Sequence, residues 1–310
     1  MKKDRVVTGL LITIVYVAVF LLAMYVHPIF FDIFILLIAV CGVYEMSKAI
    51  SNVLSEPIFV LNLIQVGVGF AAFWFTQYFY KSASLGMSAY FLSIVLMVIV
   101  TLIVTACSKT YVKGNAMSTI FTMMYPSAIL MFSVGINYFM YPDLGVIDVA
   151  ASMPFRNAGI ALMFVVPAFT DMFAYQIGSR LKGKKLCPTI SPNKTISGAI
   201  GGLFGGIVGA GVICLFTFLA EHFGVNLFGL KMLTDDWLTT ILNFVALGLV
   251  GSVFDQIGDL VASFIKRRAN IKDYSNLLPG HGGILDRVDG FLFCGVFYYI
   301  YFAVMILIVL

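Results

Sequence analysis

Charged residues are scarce in this chain of 310 amino acids, of which they make up only 11%. An ordinary soluble domain carries about 25% charged residues. Hydrophobic residues reach 61%, and the mean hydropathy is +1.02. This balance excludes an ordinary soluble globular protein. A bilayer core about 30 Å thick takes roughly 20 apolar residues per helix, so several such helices would account for most of the chain.

Cysteine and histidine are also few and scattered. The chain has five cysteines, mostly inside apolar runs, and three histidines, with no Cys-x-x-Cys pair. This pattern predicts neither a disulfide framework nor a zinc site. The first apolar run lacks a small-residue cleavage site and is long enough to cross a bilayer. It is therefore interpreted as a retained membrane span rather than a signal peptide.

Long apolar runs take the place of the missing charge, and they predict an all-α, polytopic membrane bundle of about nine transmembrane helices. The second run is short and nearly continuous with the first across His27 and Pro28. A tight hairpin, a broken helix and a total of eight or ten spans therefore stay open. The candidate spans are Val6–Val26, Pro28–Val43, Ile58–Phe79, Ala89–Cys107, Thr119–Tyr141, Ala158–Gly178, Gly198–Ala220, Trp237–Leu260 and Phe291–Leu310.

The 19 Lys and Arg residues indicate the orientation, because cytoplasmic loops retain an excess of positive charge. A cytoplasmic N-terminus leaves only Lys81, Arg156 and Lys231 outside. The cytoplasmic set is then Lys2, Lys3, Arg5, Lys48, Lys109, Lys113, Arg180, Lys182, Lys184, Lys185, Lys194, Lys266, Arg267, Arg268, Lys272 and Arg287. This bias predicts a cytoplasmic N-terminus and supports an odd number of spans.

Two cytoplasmic loops, at 179–197 and 261–290, carry most of this positive charge. They are the candidates for function, although topology signals or anchors for anionic headgroups would give the same charge pattern. Residues 1–150 offer no comparable chemistry and are interpreted as a transmembrane scaffold. Aromatic residues at its span ends are typical of interfacial belts. These are Trp74, Tyr78, Tyr80, Tyr138 and Tyr141.

Three aspartates lie within apolar spans or at their cytoplasmic ends: Asp171, Asp255 and Asp259. An ionised carboxylate there is costly unless it is paired, hydrated or bound to a cation, so each is a functional candidate. Asp255 and Asp259 share one helical face, which Ser263 and Lys266 continue toward the loop. The structural alternative is an aspartate paired with a Lys or Arg of a neighbouring helix.

Basic, acidic and glycine residues are interleaved over residues 263–289, the signature segment. Its cations can contact phosphate oxygens, and its glycines let the backbone approach a ligand, as a polyphosphate requires. The acids Asp286 and Asp289 add oxygen ligands that suit Mg2+. His281 is expected to hydrogen-bond a phosphate or base rather than to transfer a proton. The cations are Lys266, Arg267 and Lys272, and the glycines are Gly280, Gly282 and Gly283.

The sequence Ser191-Pro-Asn-Lys-Thr195 immediately precedes a glycine-rich span. A helix N-terminus, Lys194 and two hydroxyl groups can converge there on an anion. Capping of that helix by Ser191, Thr195 or Ser197 is the alternative. The glycines at spacing four inside the span favour close helix packing.

The signature segment resembles that of the phosphatidate cytidylyltransferase family, also called CDP-diacylglycerol synthase. The family pattern is Ser-x-x-Lys-Arg-x(4)-Lys-Asp, a short gap, then Pro-x-His-Gly-Gly-x-x-Asp-Arg-x-Asp. The matching residues are Ser263, Lys266, Arg267, Lys272, Asp273, Pro279, His281, Gly282, Gly283, Asp286, Arg287 and Asp289. The upstream Gly-Asp-Leu motif at Asp259 and the motif 191–195 also match. The resemblance therefore covers roughly the second half of the chain.

The resemblance implies a catalytic transmembrane domain at 151–310 that binds Mg2+ through Asp259 and Asp286, and it leaves room for a second cation. The chain departs from the family at Ser197, where Glu is usual, and at Gly178-Ser-Arg180, where Gly-Arg is usual. The expected catalytic residues are Asp259, Asp286, Lys266, Arg267, Lys272, His281, Arg287 and Asp289. The expected substrate-binding residues are Asp171, Tyr175, Ser191, Lys194, Thr195, Ser263, Asp273, Gly282 and Gly283.

The expected function is transfer of CMP from CTP to phosphatidic acid in the cell membrane, with the active site facing the cytoplasm. Expected partners are CTP, phosphatidic acid or a related lipid phosphate, and membrane lipids, with room for a homodimer and no role for nucleic acid. A CTP-dependent enzyme for an ether-lipid phosphate or a polyprenol is one alternative. An ion-coupled transporter is another, because intramembrane aspartates and glycine-broken helices also mark such proteins. The clustering of cations in two loops favours surface chemistry.

Overall fold

The computed structural model describes residues 2–138, 149–224, 230, 233 and 236–309. Tyr141, Lys231 and the side chains of Lys2, Lys3 and Arg5 lie outside the described residues. The helices are α1 (Lys2–Tyr25), α2 (Ile29–Ile50), α3 (Phe59–Tyr80), α4 (Ala83–Cys107), α5 (Lys113–Thr122), α6 (Ile129–Asn137), α7 (Val149–Leu181), α8 (Ile196–Phe223), α9 (Trp237–Arg268) and α10 (Leu285–Val309). A two-stranded antiparallel hairpin, β1 (Lys185–Cys187) and β2 (Ser191–Thr195), precedes α8.

Nine helical segments of the described chain are long and apolar enough to cross a membrane, which confirms the predicted fold class and span count. The second span is longer than predicted, because α2 continues to Ile50. The fifth span is α5 and α6 joined by a π-helical turn, Met123–Ala128, that contains Pro126. Proline lacks the N–H that would continue the α-helical hydrogen bonds, which accounts for the change of pitch.

Helix α9 extends through Arg268, and α10 already begins at Leu285. Much of the segment that the sequence assigns to a cytoplasmic loop is therefore helical, and the irregular part is limited to 269–284. Side chains carried by the end of α9 are consequently held on a rigid helical face.

Glycines bring α7, α8 and α9 into close contact, as their spacing predicts. A Cβ on Gly206 of α8 would lie 2.5 Å from the carbonyl oxygen of Gly248 on α9, and the converse holds for Gly248. A Cβ on Gly205 would lie 2.5 Å from the carbonyl oxygen of Phe169 on α7. Backbones that approach this closely gain dispersion contacts that larger side chains would prevent.

Contacts between distant segments show which loops share an end of the bundle. Thr8 Oγ1 donates to the carbonyl of Pro279 at 3.1 Å, and Asn52 Nδ2 donates to the carbonyl of Ala269 at 3.3 Å. The start of α1, the end of α2 and segment 269–284 therefore lie together, at what we call the signature end. That this end faces the cytoplasm stays a prediction from the charge distribution.

A buried polar network lies at the opposite end. Asp32 is fully buried and accepts hydrogen bonds from Asn137 Nδ2 at 2.8 Å, Tyr138 Oη at 2.5 Å and Trp74 Nε1 at 2.9 Å. Arg156 Nε donates to Asn137 Oδ1 at 3.1 Å. Trp74 and Tyr138, predicted to belong to an interfacial belt, thus satisfy a buried carboxylate that would otherwise be costly in the membrane.

The glycine packing gives a matched pair of substitutions within one helix. We expect Gly206→Val to lower the thermal unfolding midpoint in detergent, because overpacking a tight contact costs about 1–3 kcal/mol. Gly211→Val is the control, since no atom lies within 4 Å of a Cβ placed there. Equal midpoints for the two variants would contradict this packing.

Candidate active site at the signature end

Asp286 is the most heavily bonded acid of the signature segment. Its Oδ1 accepts from Lys266 Nζ at 2.7 Å, and its Oδ2 accepts from the backbone N–H of Tyr274 at 2.8 Å and of Gly283 at 2.9 Å. Because these donors come from the end of α9 and from both sides of the 269–284 segment, one carboxylate joins three parts of the chain. Charge-assisted bonds of this kind are roughly twice as strong as neutral ones.

Tyr274 lies beside the ion pair between Lys266 and Asp286. Its hydroxyl donates to the carbonyl of Ala262 at 3.3 Å, and Lys266 Nζ lies 5.3 Å from the centroid of its ring. Burial raises the pKa of Tyr274 far above its ordinary value, so the phenol stays protonated and remains a donor.

A tight turn forms between Leu278 and Gly282. The N–H of Leu278 donates to the carbonyl of Gly282, and the N–H of His281 donates to that of Leu278, both at 2.9 Å. Gly282 has φ +82°, which a residue with a Cβ adopts only with strain, and its Cβ would lie 2.9 Å from Asp286 Oδ2. Backbone geometry thus requires glycine at 282, the first position of the Gly-Gly pair.

The hairpin and the first turn of α8 form the second part of the site. Thr195 caps α8, since its Oγ1 accepts from the N–H of Gly198 at 3.1 Å, which confirms the capping alternative for this residue. Ser197 Oγ accepts from the N–H of Gly183 at 3.3 Å. Ser191 lies in β2, paired with Cys187.

Arg267 points to the hairpin. Its Nε donates to the carbonyl of Ile190 at 3.2 Å, and its Nη1 lies 3.4 Å from the carbonyl oxygen of Ile271. This arrangement couples the end of α9 to the hairpin. Arg267, expected to contact phosphate, is therefore occupied with backbone carbonyls.

Four carboxylates of α7, α9 and α10 lie close together, and one of them is paired with a lysine. Lys194 forms an ion pair with Asp259. The charge of Asp259 also acts on Asp171, Asp255 and Asp289, which places all four within electrostatic range of one another. So many acids in one small region favour binding of cations.

Small residues make this gathering of acids possible. A Cβ on Gly258 of α9 would collide with the carbonyl oxygen of Asp289, and one on Gly290 of α10 would collide with the carboxylate of Asp255. Along α9, Ser263 Oγ donates to Asp259 Oδ1 at 3.3 Å, as the predicted polar stripe requires. These glycines therefore let the acids of α9 and α10 lie close together.

Two cavities contain predicted site residues. The first, of about 680 Å³, lies between α7, α8 and the hairpin. Four of the predicted substrate-binding residues line it, and two further lysines of the basic loop line it as well. The residues concerned are Asp171, Tyr175, Lys194 and Thr195, with Lys182 and Lys185 as additional cations.

The second cavity, of about 430 Å³, is formed entirely by the signature segment. Arg287 is exposed in its wall, and its charge acts on Asp171 at the other cavity. One cation in the wall of this cavity is therefore within electrostatic range of an acid of the first cavity. The lining residues are Lys272, Asp273, Asn276, Gly280, His281, Gly282 and Arg287.

Glu45 on α2 is a buried acid of the site that the sequence patterns did not predict. It accepts hydrogen bonds from Ser275, Ile284 and Leu285. A glutamate inside a 22-residue apolar span was an available signal, because charges in such spans are rare. Its partners lie more than 200 residues away in sequence, so they had no local signature.

Taken together, the helices and the site define a polytopic integral membrane protein with a charged, glycine-lined pocket at one end. The family model described as the cytidylyltransferase family matches residues 4–305. The chain therefore belongs to the cytidylyltransferase family, as its signature segment predicts.

Several relatives carry the name phosphatidate cytidylyltransferase. That of Brucella abortus (strain 2308) is 35% identical over 172 residues, covering 56% of this chain and 57% of the relative. That of Bacillus subtilis (strain 168) is 38% identical over 182 residues, covering 54% and 61%. That of Staphylococcus haemolyticus is 43% identical over 135 residues, covering 43% and 45%. The matched region thus spans between 45% and 61% of the length of these relatives.

Two cations at the end of α9, Lys266 and Arg268, give a second matched pair. Lys266→Ala removes the partner of a carboxylate whose side chain is only 3% exposed, whereas Arg268 lies over the ring of Phe264 and is exposed. Breaking a buried pair costs about 3–5 kcal/mol. We expect a clear fall in the thermal midpoint for Lys266→Ala and little change for Arg268→Ala. The reverse ranking would contradict the role given to Asp286.

Proposed function

We propose that the protein transfers the cytidylyl group of CTP to phosphatidic acid, giving CDP-diacylglycerol and pyrophosphate. The observation that carries the proposal is that lysine or arginine side chains line both cavities, with Asp171 of the first within electrostatic range of Arg287 of the second. The names of the relatives agree with this activity, which we carry over to the present chain as a proposal.

The two cavities suit different substrates. The cavity between α7 and α8 includes residues of membrane-spanning helices, such as Ala174 and Ala199, so it suits a lipid whose acyl chains stay in the bilayer. The other is lined by loop residues and Arg287, which suits the triphosphate of a soluble nucleotide. Each lipid headgroup can then meet the nucleotide at the carboxylates without leaving the membrane interface.

The donor set fits a magnesium ion shared with substrate. Mg2+ is usually held by one or two carboxylates plus substrate phosphates, and no group of three His, Cys, Asp or Glu side chains among the described residues is arranged to hold a metal alone. Asp259 already faces a cation, the Lys194 ammonium. Asp286 uses three of its roughly four lone-pair positions, so one remains for a ligand.

In this proposal Asp259 and Asp286 would hold Mg2+, which would neutralise phosphate charge and polarise the reacting phosphoryl group. The nucleophile is a phosphate oxygen of the lipid, already largely ionised at neutral pH because the second pKa of a phosphate monoester is about 6. It attacks the α-phosphorus of CTP, the bond to the β-phosphate oxygen breaks, and pyrophosphate leaves with the electron pair. Lys194, Lys272 and Arg287 stabilise the accumulated negative charge.

A variant series tests both the reaction and the acids. Purified protein in mixed micelles with phosphatidic acid, CTP and Mg2+ should release pyrophosphate and form a lipid-linked nucleotide. We expect Asp259→Asn and Asp286→Asn to reduce the rate by about 100- to 1,000-fold, as removal of an electrostatic group at a transition state does. Asp236→Asn is the control, because this exposed residue caps α9 at its other end and asparagine caps equally well.

Each outcome decides a different part of the proposal. Near-normal rates for both variants would remove the metal assignment while leaving the reaction. A wild-type protein that forms no lipid-linked nucleotide from phosphatidic acid would overturn the substrate. Activity confined to an ether-lipid phosphate or a polyprenol would favour those acceptors, and solute flux without nucleotide transfer would favour a transporter.

A further inference from the structure

Glu45 is a buried acid on α2, in the half of the chain that its sequence identifies as scaffold. Glu45 is 1% exposed, and its carboxylate accepts three hydrogen bonds from the signature segment. Oε1 accepts from Ser275 Oγ at 2.6 Å and from the N–H of Ile284 at 2.9 Å, and Oε2 accepts from the N–H of Leu285 at 2.8 Å. A carboxylate suits this position, because the N-terminus of α10 carries partial positive charge.

Gly283 connects Glu45 to Asp286. A Cβ on Gly283 would lie 2.5–2.7 Å from the carboxylate atoms of Glu45, so only glycine lets this turn rest on the acid. The N–H of the same residue donates to Asp286 Oδ2 at 2.9 Å. The turn from Gly283 to Leu285 is therefore held by one carboxylate on each side, so release of the Glu45 side would loosen one of the three hydrogen bonds that orient Asp286.

We propose that Glu45 is a positioning residue for the transfer reaction, holding the start of α10 so that Asp286 and the glycine turn keep their places at the signature end. This inference rests on the proposed function for its catalytic consequence. Its structural part stands on contacts within the protein alone. Glu45 acts through the backbone of 283–285 and does not touch the reacting atoms.

A substrate-binding role for Glu45 makes a different prediction. Glu45 also lines a cavity of about 960 Å³ together with Lys48 and Lys272. A residue that contacts substrate there would change KM when replaced. A positioning residue changes kcat, because misplaced catalytic groups weaken only the transition state.

The first experiment needs no substrate. Amide hydrogen exchange is measured on the full-length protein in detergent, for wild type, Glu45→Gln and Glu56→Gln. Glutamine keeps the size of the side chain but lacks the charge. Its NH2 group cannot accept hydrogen bonds from the backbone N–H groups. We expect exchange of the amides of Ile284 and Leu285 to accelerate about tenfold or more in Glu45→Gln, as loss of charge-assisted hydrogen bonds implies. Glu56→Gln changes an exposed acid near the end of α2 and should match wild type.

The second experiment measures turnover. We expect Glu45→Gln to lower kcat by about 10- to 100-fold, the usual effect of removing a residue that orients a ligand, with KM for CTP and phosphatidic acid unchanged. Ser275→Ala removes the hydroxyl that donates to Glu45 and accepts from the N–H of Leu277, so it should show the same changes to a smaller degree. It keeps the proposal testable if Glu45→Gln does not fold.

The outcomes separate this inference from the proposed function. Wild-type exchange at 284–285 in Glu45→Gln, or in the folded Ser275→Ala variant if Glu45→Gln is lost, would overturn the positioning role. So would a raised KM with an unchanged kcat. A wild-type protein without cytidylyl transfer would overturn the proposed function, and the exchange result would still decide whether Glu45 holds the turn.

Discussion

The structure of the site depends on the buried carboxylate of Asp286. Its oxygens accept from Lys266 and from the backbone of Tyr274 and Gly283, so they join α9, the irregular segment and α10. Glu45 secures the same turn from α2. A buried carboxylate of this kind is costly unless hydrogen-bond donors and a cation offset its charge, and that requirement fixes the loop.

Helix packing in the rest of the bundle brings further acids together with a cation. Glycine contacts let α9 approach α8 and α10 closely enough for acids from three helices to share one region with Lys194. Repulsion among those acids opposes the folded state unless cations offset it. The ion pair between Lys194 and Asp259 supplies one such cation.

Local patterns in the sequence predicted those parts of the site that depend on short-range geometry. The i, i+4 stripe from Asp259 to Ser263 and the Thr195 cap follow from helix periodicity and from the chain immediately around them. Long-range partners could not be predicted: Arg267 binds the hairpin, and Glu45 binds residues more than 200 positions away. Helix packing sets those pairings, and a single residue in an apolar run does not indicate which distant segment it will contact.

The position of the label that enters lipid tests the central claim most directly. Purified protein is supplied with phosphatidic acid, Mg2+ and CTP labelled with 32P on either the α- or the γ-phosphate. The account predicts lipid-extractable label from α-labelled CTP only, with the γ-label recovered as pyrophosphate. Label from the γ-position in lipid would indicate a kinase, and label in lipid from neither position would contradict the proposed transfer.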